Sequence, residues 1–230
     1  KDCGVPVRIV HTHVISTRSQ RFIRRCFDHI YKSSMLKCAT NKLGCSEEAC
    51  VSFFGAREDF QVMPNPYNEV IFDSSNYPYK RFFCPDLIQV GNYSDLKNQL
   101  FTLEVFKCLK EKYGEAKLCF VGFDVGGYKG RIQSKIEEYG FSECVTLYPS
   151  DADIPDLLSK SSYLILPSRT EAFGIVLIEA QAMGLTCFAS DVVPQVSDVG
   201  GCRYLSIRED PAVWAQAIIE DFEKTNGKHH

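Results

Sequence analysis

From residue 86 onward, short apolar runs alternate with longer stretches whose apolar residues recur every three or four positions. Residues 88–91 (Ile-Gln-Val-Gly) and 118–122 (Leu-Cys-Phe-Val-Gly) read as strands, as do 144–147, 163–166, 186–189 and 203–207. Between them lie helical patterns over residues 97–113, 131–139, 154–160 and 174–182, with a last one over 211–222. The first of these carries Leu100, Leu103, Phe106 and Leu109 at helical spacing. Gly140 and Gly184 stand where a helix would stop, and Pro211 stands where the last would start. Strands that are apolar throughout, alternating with helices, require helices on both faces of a parallel sheet. The expected fold class is therefore α/β, with a complete doubly wound Rossmann-like domain over residues 85–228. Such sheets bind ligands at the carboxyl ends of their strands. The loops after Gly91, Gly122, Leu147 and Leu166 are expected to line one crevice.

The first 70 residues follow a different rhythm. Residues 7–10 form a short strand leading into His11-Thr12-His13, a helix is expected from residue 20 to about 38, and residues 42–45 and 60–63 read as two more strands. Three strands and their helices make half of a doubly wound sheet, so residues 1–70 are expected to be part of a second Rossmann-like domain. A fragment, a natural truncation and one subunit of a split enzyme all fit that pattern. Proline-rich residues 64–66 and Pro78 mark a stiff connection, with a linker at 71–84.

Composition narrows the functional classes. The chain has 230 residues, is 45% apolar and carries net charge −3. No apolar window reaches membrane-spanning length. The start lacks a signal-peptide core, and Gly227 to His230 read as a tag remnant. Eleven cysteines, an odd number without a C-x-x-C pair, fit reduced thiols in a cytoplasmic protein better than a disulfide framework. Arg18 to Lys42 holds seven basic residues and one acidic, net +6. Against −3 overall, the remainder carries −9, which argues against nucleic acid as a partner. The basic segment reads either as a solvated amphipathic helix or as a surface that attracts anionic lipid.

The most informative stretch runs from Ser168 to Gly184. A strand ends at Leu166 and a helix begins near Gly174. Free amides of the first helical turn, with the helix dipole, make an anion site, and Gly174 lets a diphosphate approach the backbone. Glu179 lies roughly 6–7 Å further along the axis at 1.5 Å per residue, about the separation of a pyrophosphate from its ribose. A carboxylate there can accept bonds from two vicinal hydroxyls. Glu171, just outside the helix, would sit on the sugar side. The same residues also fit a surface helix capped by one glutamate.

This stretch resembles the two-glutamate signature of group 1 retaining glycosyltransferases of the GT-B fold. The resemblance extends to Val90-Gly91-Asn92-Tyr93 through Lys97-Asn98-Gln99, which looks like the family's first loop, and to Leu118–Gly122, its second strand. It also takes in Leu166-Pro167-Ser168, and Pro64–Asn68 as the hinge. It implies a nucleotide-sugar donor, a UDP-sugar ahead of a GDP-sugar, with no cofactor and no metal. By the resemblance, Lys97 would hold the donor diphosphate, Glu179 the ribose and Glu171 the transferred sugar. The amides of Phe173, Gly174, Ile175 and Val176 would cradle phosphate. Gly91, Asn92, Gly122 and Tyr148 would border the donor, although core packing explains Tyr148 equally well. His13 aligns with the family's active-site histidine, with His11 as the adjacent alternative. Catalytic roles fall to His13, Lys97 and Glu171. Asn92 departs from the arginine usual at its position. The implied function is transfer of sugar, with retention, to a glycan or lipid-linked acceptor in polysaccharide synthesis, peripheral to the inner membrane face. The alternatives are donor binding without catalysis, completed by a missing half or partner subunit, and a nucleotide-sugar epimerase of the same fold.

Overall fold

The computed structural model describes residues 4–15, 31–78 and 82–226. The chain divides into two compact units. The first comprises Lys1–Pro66 with Glu171–Gly174 and Pro194–Val196. The second comprises Tyr67–Thr170, Ile175–Val193 and Ser197–His230.

Unit 1 holds a parallel three-stranded sheet, β1 (Ile9–Thr12), β2 (Asn41–Gly44) and β3 (Gln61–Val62), in the order β1-β2-β3. Residues 31–38 are helical. Arg18 and the earlier part of the helix expected from residue 20, with Arg21, Arg24 and Arg25, lie outside the described residues. Helix α1 (Glu47–Phe54) was not anticipated. Ser46 caps it by accepting from the Ala49 amide, and Glu47 and Glu48 in its first turn complement the helix dipole.

Unit 2 is an α/β doubly wound domain. Strands β4 (Leu87–Val90), β5 (Leu118–Val121), β6 (Val145–Tyr148), β7 (Tyr163–Leu166), β8 (Thr186–Ser190) and β9 (Cys202–Leu205) form one all-parallel sheet ordered β6-β5-β4-β7-β8-β9. Successive side chains point to opposite faces, and both faces are buried. Leu87, Leu118, Phe120, Tyr163, Ile165 and Phe188 pack into one core, with residues of α2 (Gln99–Lys112), α3 (Tyr128–Glu138) and α6 (Pro211–Asn226). Ile88, Val121, Leu164, Leu166, Cys187 and Ala189 pack into the other, with residues of α4 (Ile154–Ser159) and α5 (Ile175–Ala182). Trp214 of α6 is fully buried, and its indole donates to the Ser206 carbonyl at 2.9 Å. The described cysteines are all free thiols. No helix among the described residues is long and apolar enough to cross a membrane.

Helix ends differ from expectation for local reasons. Helix α2 begins at Gln99, not Lys97, because Asn98 adopts a left-handed conformation (φ 59°) that helical propagation does not allow. Helix α3 begins earlier than expected, at Tyr128, directly after Gly127. It ends in a Schellman arrangement around Gly140, with Phe141 N–H donating to the Ile136 carbonyl and Gly140 N–H to that of Glu137.

Gly122, just after β5, is required by close approach. A methyl carbon placed there would lie 2.2 Å from the Gly91 carbonyl oxygen and 2.8 Å from its carbonyl carbon. Backbone cannot yield as a flexible side chain can. At Gly130, inside α3, the same carbon meets nothing within 4 Å. Gly122→Ala is expected to destabilise unit 2 by about 1–3 kcal/mol, the cost of overpacking. Gly130→Ala is expected to stabilise it by about 0.4–1 kcal/mol. Chemical denaturation of both variants reads the difference; equal effects would remove the close-approach account.

Candidate functional site

The direction of strand addition reverses between β4 and β7, which is where open α/β sheets bind ligands. The loop after β4 is built by buried amides. Gln89, though inside β4, is polar and buried; its amide donates to the Lys97 carbonyl at 2.6 Å and accepts from the Thr102 hydroxyl at 2.7 Å. Gln99, fully buried, donates to the carbonyls of Asn92 at 2.9 Å and Gly91 at 3.4 Å. The Tyr93 hydroxyl, also buried, reaches the carbonyls of Tyr148 at 2.5 Å and Phe120 at 3.1 Å. The Gly122 amide donates to the same Tyr148 carbonyl at 3.2 Å. Gly91, Gly122 and the Tyr148 backbone are thereby brought together. The Tyr148 side chain packs against the core of α4 and α5. Lys97 is half-buried and its alkyl chain passes Gly91, 3.2 Å from where a β-carbon would lie. Asn92 is exposed.

Helix α5 starts at Ile175, and its first amides have no intrahelical partner. Val176 is buried in the core, so only its backbone is available to a ligand. Glu179 follows one turn later, half-buried. Its carboxylate finds no hydrogen-bond or ion-pair partner among the described residues, and burial pushes its pKa above the usual 4.5. Removal from water without compensation disfavours the ionised form. A ligand hydroxyl would supply the missing donors.

In unit 1, His13 follows β1, is exposed, and its Nδ1 lies 2.9 Å from the Asn65 side-chain oxygen. The His11 ring stacks obliquely on it, centroids 4.0 Å apart. Burial, then the charge of His13, lowers the His11 pKa. The segment Glu171–Gly174 is fixed at Ala172, whose carbonyl accepts from the Ser46 hydroxyl at 2.5 Å. Glu171 is half-buried, Phe173 is buried, and Gly174 has φ 78°. Ser46 thus serves two partners, capping α1 and anchoring this segment. Sequence reasoning passed over Ser46, Gln89, Asn98, Gln99 and Thr102. The one available signal was Gln89, a polar residue interrupting an apolar strand.

An all-parallel six-stranded sheet with a glycine-lined switch point is a Rossmann-like architecture, of the kind found in GT-B structures. The family model for group 1 glycosyl transferases matches residues 84–226, and the chain belongs to that family. It is 27% identical to the putative glycosyltransferase EpsF of Bacillus subtilis (strain 168), over 94% of this chain and 59% of that protein. It is 29% identical to the capsular polysaccharide biosynthesis glycosyltransferase CapH of Staphylococcus aureus, over 57% of this chain and 38% of that one. Among solved structures, Anabaena Alr3699/HepE in complex with UDP and glucose superposes with a TM-score of 0.74 at 17% identity, covering 95% of this chain and 62% of that one. The chain therefore spans about three-fifths of EpsF and of HepE.

Because the Glu179 pKa is raised in the fold, its ionisation opposes folding. The penalty is absent below the unfolded value of about 4.5 and grows as pH rises through the higher folded value. Glu179→Gln is expected to be more stable than the parent at neutral pH, with the gap closing as pH falls toward 4. Urea midpoints across that range check this. A gap independent of pH would contradict the burial account.

Proposed function

We propose that this chain binds a nucleotide-sugar donor, a UDP-sugar ahead of a GDP-sugar, and serves a retaining glycosyltransferase that adds sugar to a glycan or lipid-linked acceptor. The observation that carries the reading is Glu179: a half-buried carboxylate without a partner among the described residues, one turn into the helix that starts at the switch point. In this reading it accepts bonds from the two ribose hydroxyls. The diphosphate takes the free amides of Ile175 and Val176, together with those of Phe173 and Gly174, and the Lys97 ammonium. Gly91 and Gly122 leave backbone accessible beside it. The Tyr148 segment borders the base and Asn92 contributes a neutral contact. Glu171 and His13 recognise the transferred sugar. UDP in the HepE structure supports the choice of base, and the CapH name supports polysaccharide synthesis.

Transfer would break the bond from the anomeric carbon to the donor phosphate oxygen and form one to the acceptor oxygen on the same face. The acceptor's proton would pass to the departing phosphate. Lys97 and the helix N-terminus would meet the charge that develops on the leaving group. A second reading, donor binding without transfer by this chain alone, draws on its span of 59% of EpsF. Incubation with UDP-sugars and lipid-linked acceptor separates the two. Transferred sugar of unchanged anomeric configuration supports the first, donor binding with no product supports the second, and a released epimer would contradict both.

Glu179→Ala is expected to weaken UDP binding by about 1.5–3 kcal/mol, the range for hydrogen bonds to a charged group. Glu171→Gln is expected to leave UDP affinity unchanged and to lower affinity for the UDP-sugar. Calorimetry with both ligands reads the contrast. Unchanged UDP affinity in Glu179→Ala would remove the ribose assignment, and equal losses for both ligands in Glu171→Gln would make Glu171 structural.

A further inference from the structure

Asn98 is the one described non-glycine residue with positive φ, at φ 59° and ψ 39°. That region crowds a β-carbon against the following carbonyl, and asparagine enters it chiefly when its short amide finds bonds. Asn98 is buried, and both ends of its amide are occupied by the loop that follows β7. Its nitrogen donates to the Pro167 carbonyl at 3.1 Å, and its oxygen accepts from the Arg169 guanidinium, also at 3.1 Å. The Arg169 backbone amide donates to the Leu96 carbonyl at 2.8 Å, and its Nε lies 3.7 Å from the Asp95 carboxylate. Residues on both sides of Asn98 depend on this turn: Lys97 precedes it, and Gln99, which follows, holds the carbonyls of Gly91 and Asn92.

We propose that Arg169 is a positioning residue for the donor diphosphate. It acts through Asn98 by locking that residue in its left-handed turn, and so fixes Lys97 and the loop after β4. The proposal rests on the donor reading above. An exposed pair such as Arg169–Asp95 contributes little by itself; the bond to the buried Asn98 amide is the one that matters. Because Arg169 enters from the loop after β7 and Asn98 from the loop after β4, the clamp joins the two sides of the switch point. In this proposal the Arg169 guanidinium, engaged with Asn98 and Asp95, acts through Asn98 and not on the phosphate itself.

The test uses UDP and uridine, which share base and ribose but differ in the diphosphate. Both are titrated into the parent chain, Arg169→Ala, Asn98→Gly and the double variant. Arg169→Ala is expected to lose about tenfold in UDP affinity, equivalent to about 1.4 kcal/mol, with uridine affinity unchanged. Glycine adopts the turn without support, so adding Arg169→Ala to Asn98→Gly is expected to cost nothing further. Equal losses for UDP and uridine in Arg169→Ala would show general disruption and overturn the proposal. So would a tenfold UDP loss that persists in the Asn98→Gly background, because Arg169 would then touch the diphosphate directly. If the parent chain binds no UDP, the donor reading fails first. If the parent binds and Arg169→Ala is indistinguishable from it, this inference alone fails.

Discussion

A side-chain amide buried inside a parallel sheet must find hydrogen bonds wherever it lies, because an unmet polar group in the interior costs roughly 1–3 kcal/mol. Gln89 imposes that constraint on unit 2. It stands in β4, between strands β5 and β7, where every other inward position is apolar. Its needs are met by the Thr102 hydroxyl from α2 and the Lys97 carbonyl from the loop between. The start of α2 is thereby held against the end of β4, and the loop from Gly91 to Asn98 has little freedom left. Gln99 continues the network by binding the carbonyls that the loop would otherwise leave unpaired.

The rest of the crevice follows from that anchored loop. Gly91 lies so close to Gly122 that a β-carbon on the latter would overlap its carbonyl, and Tyr93 ties the same loop to Tyr148 through its hydroxyl. On the other side of the switch point, Asn98 is bonded to Pro167 and Arg169 of the loop after β7. Burial on both faces makes the sheet rigid. The polar network then decides where its loops stand. Glu179 is the complement of this arrangement. The network satisfies its own polar groups, while this carboxylate is left desolvated without a described partner.

Much of unit 2 was legible in the sequence because its strands are mostly apolar. Residues 163–166 were delimited as they occur, and the other five strands to within a residue or two at either end. Double-sided burial leaves a continuous apolar run that side-chain alternation does not blur. Helix α1 escaped because its eight residues, with Phe53 and Phe54 side by side at its end, give too few turns for a periodicity. The start of α2 was misplaced because the left-handed turn at Asn98 is held by residues 69 and 71 positions away, beyond any local signal. Of the candidate site, Glu171, Gly174 and Glu179 are proposed from chemistry and resemblance. The amides and hydroxyls that hold the loop after β4 and the Glu171–Gly174 segment could not be read so, since Gln99, Thr102 and Ser46 read as ordinary polar residues until the fold shows them buried.

A nucleoside diphosphate is proposed to bind at the first turn of α5 and Glu179, at the switch point of unit 2. An experimental structure of the chain with UDP tests it most directly. The diphosphate is expected within hydrogen-bond reach of the Ile175 and Val176 amides and of the Lys97 ammonium, with both ribose hydroxyls on the Glu179 carboxylate at about 2.7–2.9 Å. UDP bound elsewhere on the chain, or bound at α5 with its ribose away from Glu179, would contradict it.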